Sequence, residues 1–175
     1  MICKRFVIAF AVAALGSVAG TFAASVERWS RVDGLDPIVA SKLRHAMDRA
    51  SELLEDESCV SLADEFKDRH GRPLRDQLVR LGVSATEYLE LILFRDGAAR
   101  GDAIAYTSPG SRVVFVHGPS IERSALNNPS HLVATVIHEM LHTLGLGENP
   151  PSSAEITARI LARCSPGRGR EPQTL

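Results

Sequence analysis

The chain has 175 residues, enough for one domain with a hydrophobic core and too few for two comfortable ones. Hydrophobic residues make up 45% of the sequence and charged residues 23%, as in ordinary soluble globular proteins. The 20 basic and 21 acidic residues leave a formal net charge of −1, with no basic stripe and no acidic block. This composition excludes a nucleic-acid partner that is recognised mainly by charge.

The N-terminal residues have the pattern of a secretory signal peptide. Lys4 and Arg5 form a short positive region, residues 6–15 are an almost unbroken apolar run, and small residues follow. The run is short for a membrane span, and the small residues favour cleavage after Ala23. We therefore expect residues 1–23 to be removed and the mature protein to be secreted or periplasmic, without a membrane anchor. An uncleaved N-terminal anchor is the alternative.

Export changes the interpretation of the cysteines. Cys3 leaves with the signal peptide, so the mature chain keeps Cys59 and Cys164. An even pair of cysteines in an oxidising compartment predicts a disulfide. It would close a long loop and stabilise the fold by about 4 kcal/mol on the chain-entropy account. Two unpaired buried thiols are the alternative.

Helical patterns dominate the first half of the mature chain. Asp36 and Pro37 are suited to begin a helix that extends to about Glu57. A loop that carries the first cysteine follows, and then a short helix ended by Gly82. Residues 84–87 have the sequence of a capping box, which predicts the start of another helix.

A β-hairpin is predicted over residues 103–117. Residues 103–107 and 112–117 flank Ser108-Pro109-Gly110-Ser111, a four-residue sequence suited to a turn. The second of these segments is rich in valine, which favours strands. Residues 91–94 are equally compatible with a helix or a strand, because so short an apolar run has no clear period.

The next helix is predicted to start near Asn128 and to end at Gly145. A last helix follows and ends near Cys164, and residues 165–175 are rich in Gly, Pro and Arg and are expected to be disordered. Residues 24–164 are therefore predicted to form one small α+β domain. It would be mostly helical, with a short antiparallel sheet, the hairpin, beside the helix that starts near Asn128.

That helix contains the sequence His138-Glu139-Met140-Leu141-His142. Residues four apart lie on the same face of a helix, so His138 and His142 project together. Two neutral imidazoles at this spacing can bind one Zn²⁺, and Glu139 can hold a water bound to that metal. Two incidental helix histidines and a surface glutamate are the alternative for so short a motif.

These five residues resemble the active-site helix of the zincin metallopeptidases, which carries HExxH. Residues 144–151 are also similar to the corresponding segment of small bacterial metallopeptidases of this kind. The resemblance implies that His138 and His142 bind zinc, that Glu139 is the general base, and that the substrate is a peptide or protein. It also implies that the hairpin before the helix lines the substrate cleft.

A catalytic zinc usually takes a third protein ligand, and two carboxylates compete for that role. In metzincins the motif continues as HxxGxxH or HxxGxxD; here Gly145 has the glycine position and Glu148 the position of the last ligand. No methionine follows Met140, so the metzincin Met-turn is absent. In gluzincins the ligand is a glutamate of the next helix, which corresponds to Glu155. We place Glu148 first and keep Glu155 as the alternative.

The expected activity is hydrolysis of peptide bonds by a zinc-bound water that Glu139 activates. Tyr106, Arg112 and His117, on or beside the hairpin, are candidate donors to the oxyanion, although a structural role suits each of them taken singly. Two other functions use the same site. One is a zinc amidohydrolase acting on a cell-envelope or small-molecule amide, and the other is a non-catalytic zinc-binding protein. The presence of Glu139 argues against the last, because a structural zinc needs no base.

Overall fold

The computed structural model describes residues 32–164, which form a mostly helical α+β domain with a four-stranded sheet. This confirms the predicted fold class. The predicted signal peptide and C-terminal tail lie outside the described residues. In chain order the elements are β1 (Val32–Asp33), α1 (Pro37–Leu53), α2 (Glu57–Val60), α3 (Leu62–Glu65), α4 (Arg75–Leu81), α5 (Ala85–Leu89), β2 (Leu93–Asp96), β3 (Ala105–Thr107), β4 (Val113–Val116), α6 (Gly118–Asn127), α7 (Pro129–Thr143) and α8 (Ser153–Arg163).

Capping side chains determine where the first helices begin and end. The Asp36 carboxylate accepts a hydrogen bond of 2.8 Å from the Ile38 N–H and so caps α1 as predicted. The helix ends at Leu53, before the predicted end near Glu57. The reason is that Asp56 caps a new helix, α2, where the first was expected to continue. The segment predicted as a loop around the first cysteine therefore contains the short helices α2 and α3.

The next two helices follow the prediction closely. Gly82 ends α4 with a φ of +66°, a left-handed conformation that suits a residue without a Cβ. Ser84 and Glu87 make both hydrogen bonds of the capping box at the start of α5, at 2.7 and 3.1 Å.

The sheet has the strand order β1-β2-β4-β3. The hairpin β3–β4 is antiparallel, with Tyr106 opposite Phe115. The ambiguous segment 91–94 overlaps β2, which pairs with β4 in parallel, and β1 adds to β2 in parallel. The sheet is therefore mixed rather than purely antiparallel. Its parallel part was not predicted because the paired segments are distant in sequence and carry no local turn signal.

Helix α6 was also not predicted. Gly118 and Pro119 begin it, and both are poor residues for a helix interior. Proline is tolerated in the first turn, however, because its missing N–H would have no partner within the helix there. Ile121 and Ser124 are buried, and α6 packs on α1 and α7.

Helix α7 lies at the centre of the domain. It packs against α1, α6, α8 and β3, so both its apolar stripe and much of its polar face are buried. Its N-terminal Asn128 side chain accepts from the His131 N–H, which places the start where the sequence predicted it. The histidine motif thus lies on the most enclosed helix of the domain.

The predicted disulfide is present. Cys59 of α2 is bonded to Cys164 at the end of α8, with an S–S distance of 2.03 Å and 105 residues between them in sequence. Helix α8 is further tied to this region by the Ser58 hydroxyl, which donates to the Arg163 carbonyl at 2.8 Å. Within residues 32–164, no helix is long and apolar enough to cross a membrane.

Candidate metal centre

Helix α7 presents His138 and His142 from one face, one helical turn apart. Both side chains are buried, and their Nε2 atoms lie 3.0 Å from each other. The spacing of four residues produces this approach directly, as expected from helix geometry.

Glu148 is brought to the two imidazoles by a turn at the end of α7. Gly145 has a φ of +111°, and its N–H donates to the His142 carbonyl at 2.9 Å, which closes the helix. The chain then reverses, so that Glu148 Oε1 lies 3.3 Å from His142 Nε2 and 3.7 Å from His138 Nε2. A side chain at Gly145 would be strained by this φ and would meet the Asp68 Cβ at 3.3 Å. The turn therefore needs glycine at this position.

The other ring nitrogen of each histidine, Nδ1, lies within hydrogen-bond distance of an oxygen atom. His142 Nδ1 lies 2.7 Å from the Leu146 carbonyl, which can only accept, so in the neutral imidazole this nitrogen carries the proton and Nε2 carries the lone pair. His138 Nδ1 lies 3.0 Å from Thr157 Oγ1 of α8. Such hydrogen bonds fix the tautomer and the orientation of metal-binding histidines.

Together these three residues could hold a metal ion. One ligand atom from each of His138, His142 and Glu148 lies within 4.8 Å of the others. Tetrahedral coordination at ordinary Zn–N and Zn–O distances separates neighbouring ligand atoms by about 3.3–3.5 Å. The observed separations of 3.0, 3.3 and 3.7 Å lie around this range.

Glu139 is buried beside this group. Its Oε2 has no hydrogen-bond partner in the described part of the chain, which is costly for a buried carboxylate oxygen. Burial, with a contribution from the negative charge of Glu148, raises the pKa of Glu139 to about 8. A divalent cation nearby would lower this pKa, because it stabilises the carboxylate. Burial, with a further contribution from the neighbouring His142, lowers the pKa of His138 to about 4, so the His138 imidazole is neutral at physiological pH, as a metal ligand must be.

The metal centre opens into a cleft along β3. A cavity of about 430 Å³ is lined by the three candidate ligands, Glu139 and residues of β3. A neighbouring cavity of about 600 Å³ shares His138 and Glu139 with it and extends between α7 and α8. β3 is at the edge of the sheet, paired with β4 on one side and with no described strand on the other. Its free edge is therefore available to an extended ligand.

The alternative ligand Glu155 is placed differently. Its carboxylate accepts a hydrogen bond of 2.7 Å from Arg159 one turn further along α8, and it is not part of the three-residue group. Its backbone N–H is capped by the Ser152 hydroxyl. In this structure Glu155 therefore stabilises the surface and first turn of α8.

The candidate oxyanion donors are dispersed. Tyr106 lines the cavity of the metal centre, and its ring stacks on Phe115 at 5.4 Å between centroids. Arg112 lies over the Tyr88 ring, and His117 Nδ1 lies 2.9 Å from the Ser120 hydroxyl; neither lines that cavity.

Two residues of the site were not identified from the sequence. Thr157 contacts His138 from α8, and Arg100, in the loop between β2 and β3, lines the cavity with its guanidinium over the Tyr106 ring. Thr157 is two residues after Glu155, so its only signal in the sequence is its closeness to the alternative third ligand. Arg100 carries no local signal in the sequence.

No protein-family model matches this sequence, and neither a characterised protein nor a solved structure matches the chain.

Proposed function

We propose that this protein is an exported zinc-dependent metallopeptidase. The observation that carries the proposal is the convergence of His138, His142 and Glu148 beside the buried carboxylate of Glu139. A site for a metal alone would not require an unpartnered carboxylate next to the ligands, since burying one is unfavourable. Export is supported by the signal-peptide pattern of the N-terminal residues and is compatible with the disulfide.

The set of ligands favours zinc. Two imidazoles and one carboxylate are the ligands of several catalytic zinc sites, which keep a fourth position for water or substrate. Calcium and magnesium prefer sites built from oxygen ligands alone. Glu148 is half-exposed on its side chain, at 42%, so the ligand set is open toward the cleft on that side.

The residues of the chain then have distinct roles in hydrolysis. Bound zinc would supply Lewis acidity, which polarises the scissile carbonyl and makes water more acidic. Glu139 would accept the proton of the attacking water and hold it for the departing amine. The free edge of β3 would bind the peptide in an extended conformation, so that the scissile bond lies over the imidazoles.

The proposal is tested by separating metal binding from hydrolysis. The zinc-loaded mature protein should cleave an unstructured protein such as casein, and Glu139→Gln should retain zinc while hydrolysis falls by roughly 10²–10⁴-fold, the usual contribution of a general base. Glu155→Gln is the matched control, because it removes a carboxylate of α8 that lies outside the ligand group. Its rate should remain near that of the wild type.

The other two functions give different results in the same experiment. If zinc binds and Glu139→Gln changes neither folding nor any hydrolysis, the site is structural. If the zinc-loaded protein cleaves peptidoglycan fragments or small amides but no peptide, the amidohydrolase is the correct function and the peptidase is not.

A further inference from the structure

Arg100 is held at the entrance to the metal centre. Its guanidinium carbon lies 4.3 Å from the centroid of the Tyr106 ring, which in turn stacks on Phe115. A guanidinium on an aromatic face is oriented by both stacking and cation–π attraction. The arginine and the candidate ligands line the same cavity.

The positive charge of Arg100 is not neutralised by an ion pair with any described residue. Among the described residues that line this cavity, it is the only lysine or arginine, while Glu139 and Glu148 contribute carboxylates. None of the carboxylates within residues 32–164 forms an ion pair with it. Its N–H donors are therefore available, and a planar guanidinium binds a carboxylate through two parallel hydrogen bonds.

The neighbouring cavity differs in charge, because its described lining residues include no basic lysine or arginine. Asp102 lines it together with apolar residues such as Ile104 and Leu161, and no lysine or arginine of the described chain takes part. Arg100 therefore lines one of the two cavities that meet at Glu139, and Asp102 lines the other. A negatively charged group of a bound peptide would be repelled on the Asp102 side and attracted on the Arg100 side.

We propose that Arg100 is a specificity residue that binds a carboxylate of the substrate, so that the site selects peptides with an anionic group on the Arg100 side of the scissile bond. This inference rests on the proposed peptidase function and names its substrate class. The carboxylate can be an aspartate or glutamate side chain or the free C-terminus of a peptide, which share the same chemistry.

The first experiment compares cleavage profiles. Zinc-loaded wild type and Arg100→Gln are incubated with a random peptide library, prepared with free and with amidated C-termini, and the products are identified by mass spectrometry. Wild type should show acidic residues enriched on one side of the cleavage site only, or cleavage at a fixed distance from a free C-terminus only. Either preference should weaken by roughly 10–100-fold in Arg100→Gln, the range for one charge-assisted contact. A profile that is unchanged in Arg100→Gln overturns the inference and leaves the peptidase intact.

A binding experiment separates the two proposals. Zinc-loaded Glu139→Gln, with and without Arg100→Gln, is titrated with three matched peptides: one with glutamate and an amidated C-terminus, one with glutamine and a free C-terminus, and one with glutamine and an amidated C-terminus. Arg100→Gln should weaken only the binding of a peptide that carries a carboxylate. If the wild type hydrolyses nothing but this binding preference is present, Arg100 binds a carboxylate of the ligand as proposed, while the peptidase function is wrong. Equal binding of all three peptides contradicts the inference.

Arg95→Gln is the matched control for both experiments. Arg95, in β2, is also an exposed arginine, but it pairs with Asp33 of β1 and does not line the cavity. Its removal should leave the cleavage profile and the peptide affinities as in the parent protein. An equal loss in Arg95→Gln would show that the effect is one of overall charge, and it would contradict a specific role for Arg100.

Discussion

The turn of residues 145–148 and helix α8 both support the imidazoles of α7, but they do so with different chemistry. The turn uses its backbone, since the Leu146 carbonyl holds His142, and it places its carboxylate, Glu148, among the candidate ligands. Helix α8 uses a side chain, the Thr157 hydroxyl, to hold His138, and its carboxylate remains on the surface in an ion pair.

The difference follows from how each segment is fixed. The turn is determined by the glycine that ends α7, so its path relative to the ligands is set within a few residues. Helix α8 is rigid and is positioned by packing on α7 and by the distant disulfide. The candidate third ligand therefore comes from the segment that is covalently closest to the imidazoles, and the distant segment acts as a support.

The largest expected effect concerns the Cys59–Cys164 disulfide, which helps to position helix α8. In the mature protein, Cys59→Ser with Cys164→Ser should lower the free energy of unfolding by about 4 kcal/mol, because the unfolded chain is no longer constrained by a loop of about 100 residues. Urea unfolding of the metal-free proteins measures this. A change below about 1 kcal/mol would mean that α8 is held by packing alone, and the comparison of the two segments would then need to be revised.

The second prediction separates the two carboxylates. Glu148→Ala should weaken zinc binding by more than the roughly 100-fold that marks the upper end for residues outside the ligand set. Glu155→Ala should change the zinc affinity little, because it removes only a surface ion pair. Competition with a zinc chelator measures both affinities. The reverse order would assign the third ligand to α8.

A smaller effect is expected at Thr157. Thr157→Val keeps the shape of the side chain but removes the hydroxyl that lies 3.0 Å from His138 Nδ1. Zinc affinity should fall by about 10-fold, as for other partners of metal-binding histidines. Thr135→Val is the matched control, since that hydroxyl of α7 donates to the His131 carbonyl and contacts no candidate ligand. Equal losses in the two variants would contradict a positioning role for Thr157.

The smallest effect is expected at Asp68, whose loop contacts the turn of residues 145–148. Asp68 forms an isolated β-bridge with Leu146, and the hydrogen bond from the Arg72 N–H, with further contacts to Arg72 and His70, lowers the Asp68 pKa from 3.8 to about 2. A carboxyl whose pKa is lower in the folded state stabilises the protein above its unfolded pKa, and this contribution is lost as the pH falls toward 2. The difference in unfolding free energy between wild type and Asp68→Asn should therefore shrink between pH 5 and pH 2. A difference that is constant over this range would contradict the role of the ionised carboxylate.

Local sequence predicted much of the domain. The caps at Asp36 and Ser84, the turn at Gly82 and the motif on α7 depend on residues within a few positions of each other, and the structure has them where expected. The same holds for the disulfide, whose partners followed from a count of cysteines in the mature chain.

The parts that were not predicted depend on contacts distant in sequence. The parallel pairing of β1 with β2 and of β2 with β4 joins segments separated by other elements, and α6 begins with residues that disfavour helices. The choice between Glu148 and Glu155 required the path of the turn, which spacing alone does not give. Arg100 and Thr157 join the site only because the loop after β2 and helix α8 fold back on α7.

The central claim is that His138, His142 and Glu148 form a zinc site, and a zinc titration of the metal-stripped mature protein tests it most directly. Calorimetry should show one zinc per chain, with binding that weakens as the pH falls and the imidazoles become protonated. The same titration of His138→Ala with His142→Ala should show no such site. A folded wild-type protein that takes up no zinc, or that binds it equally well without the two imidazoles, would contradict the account.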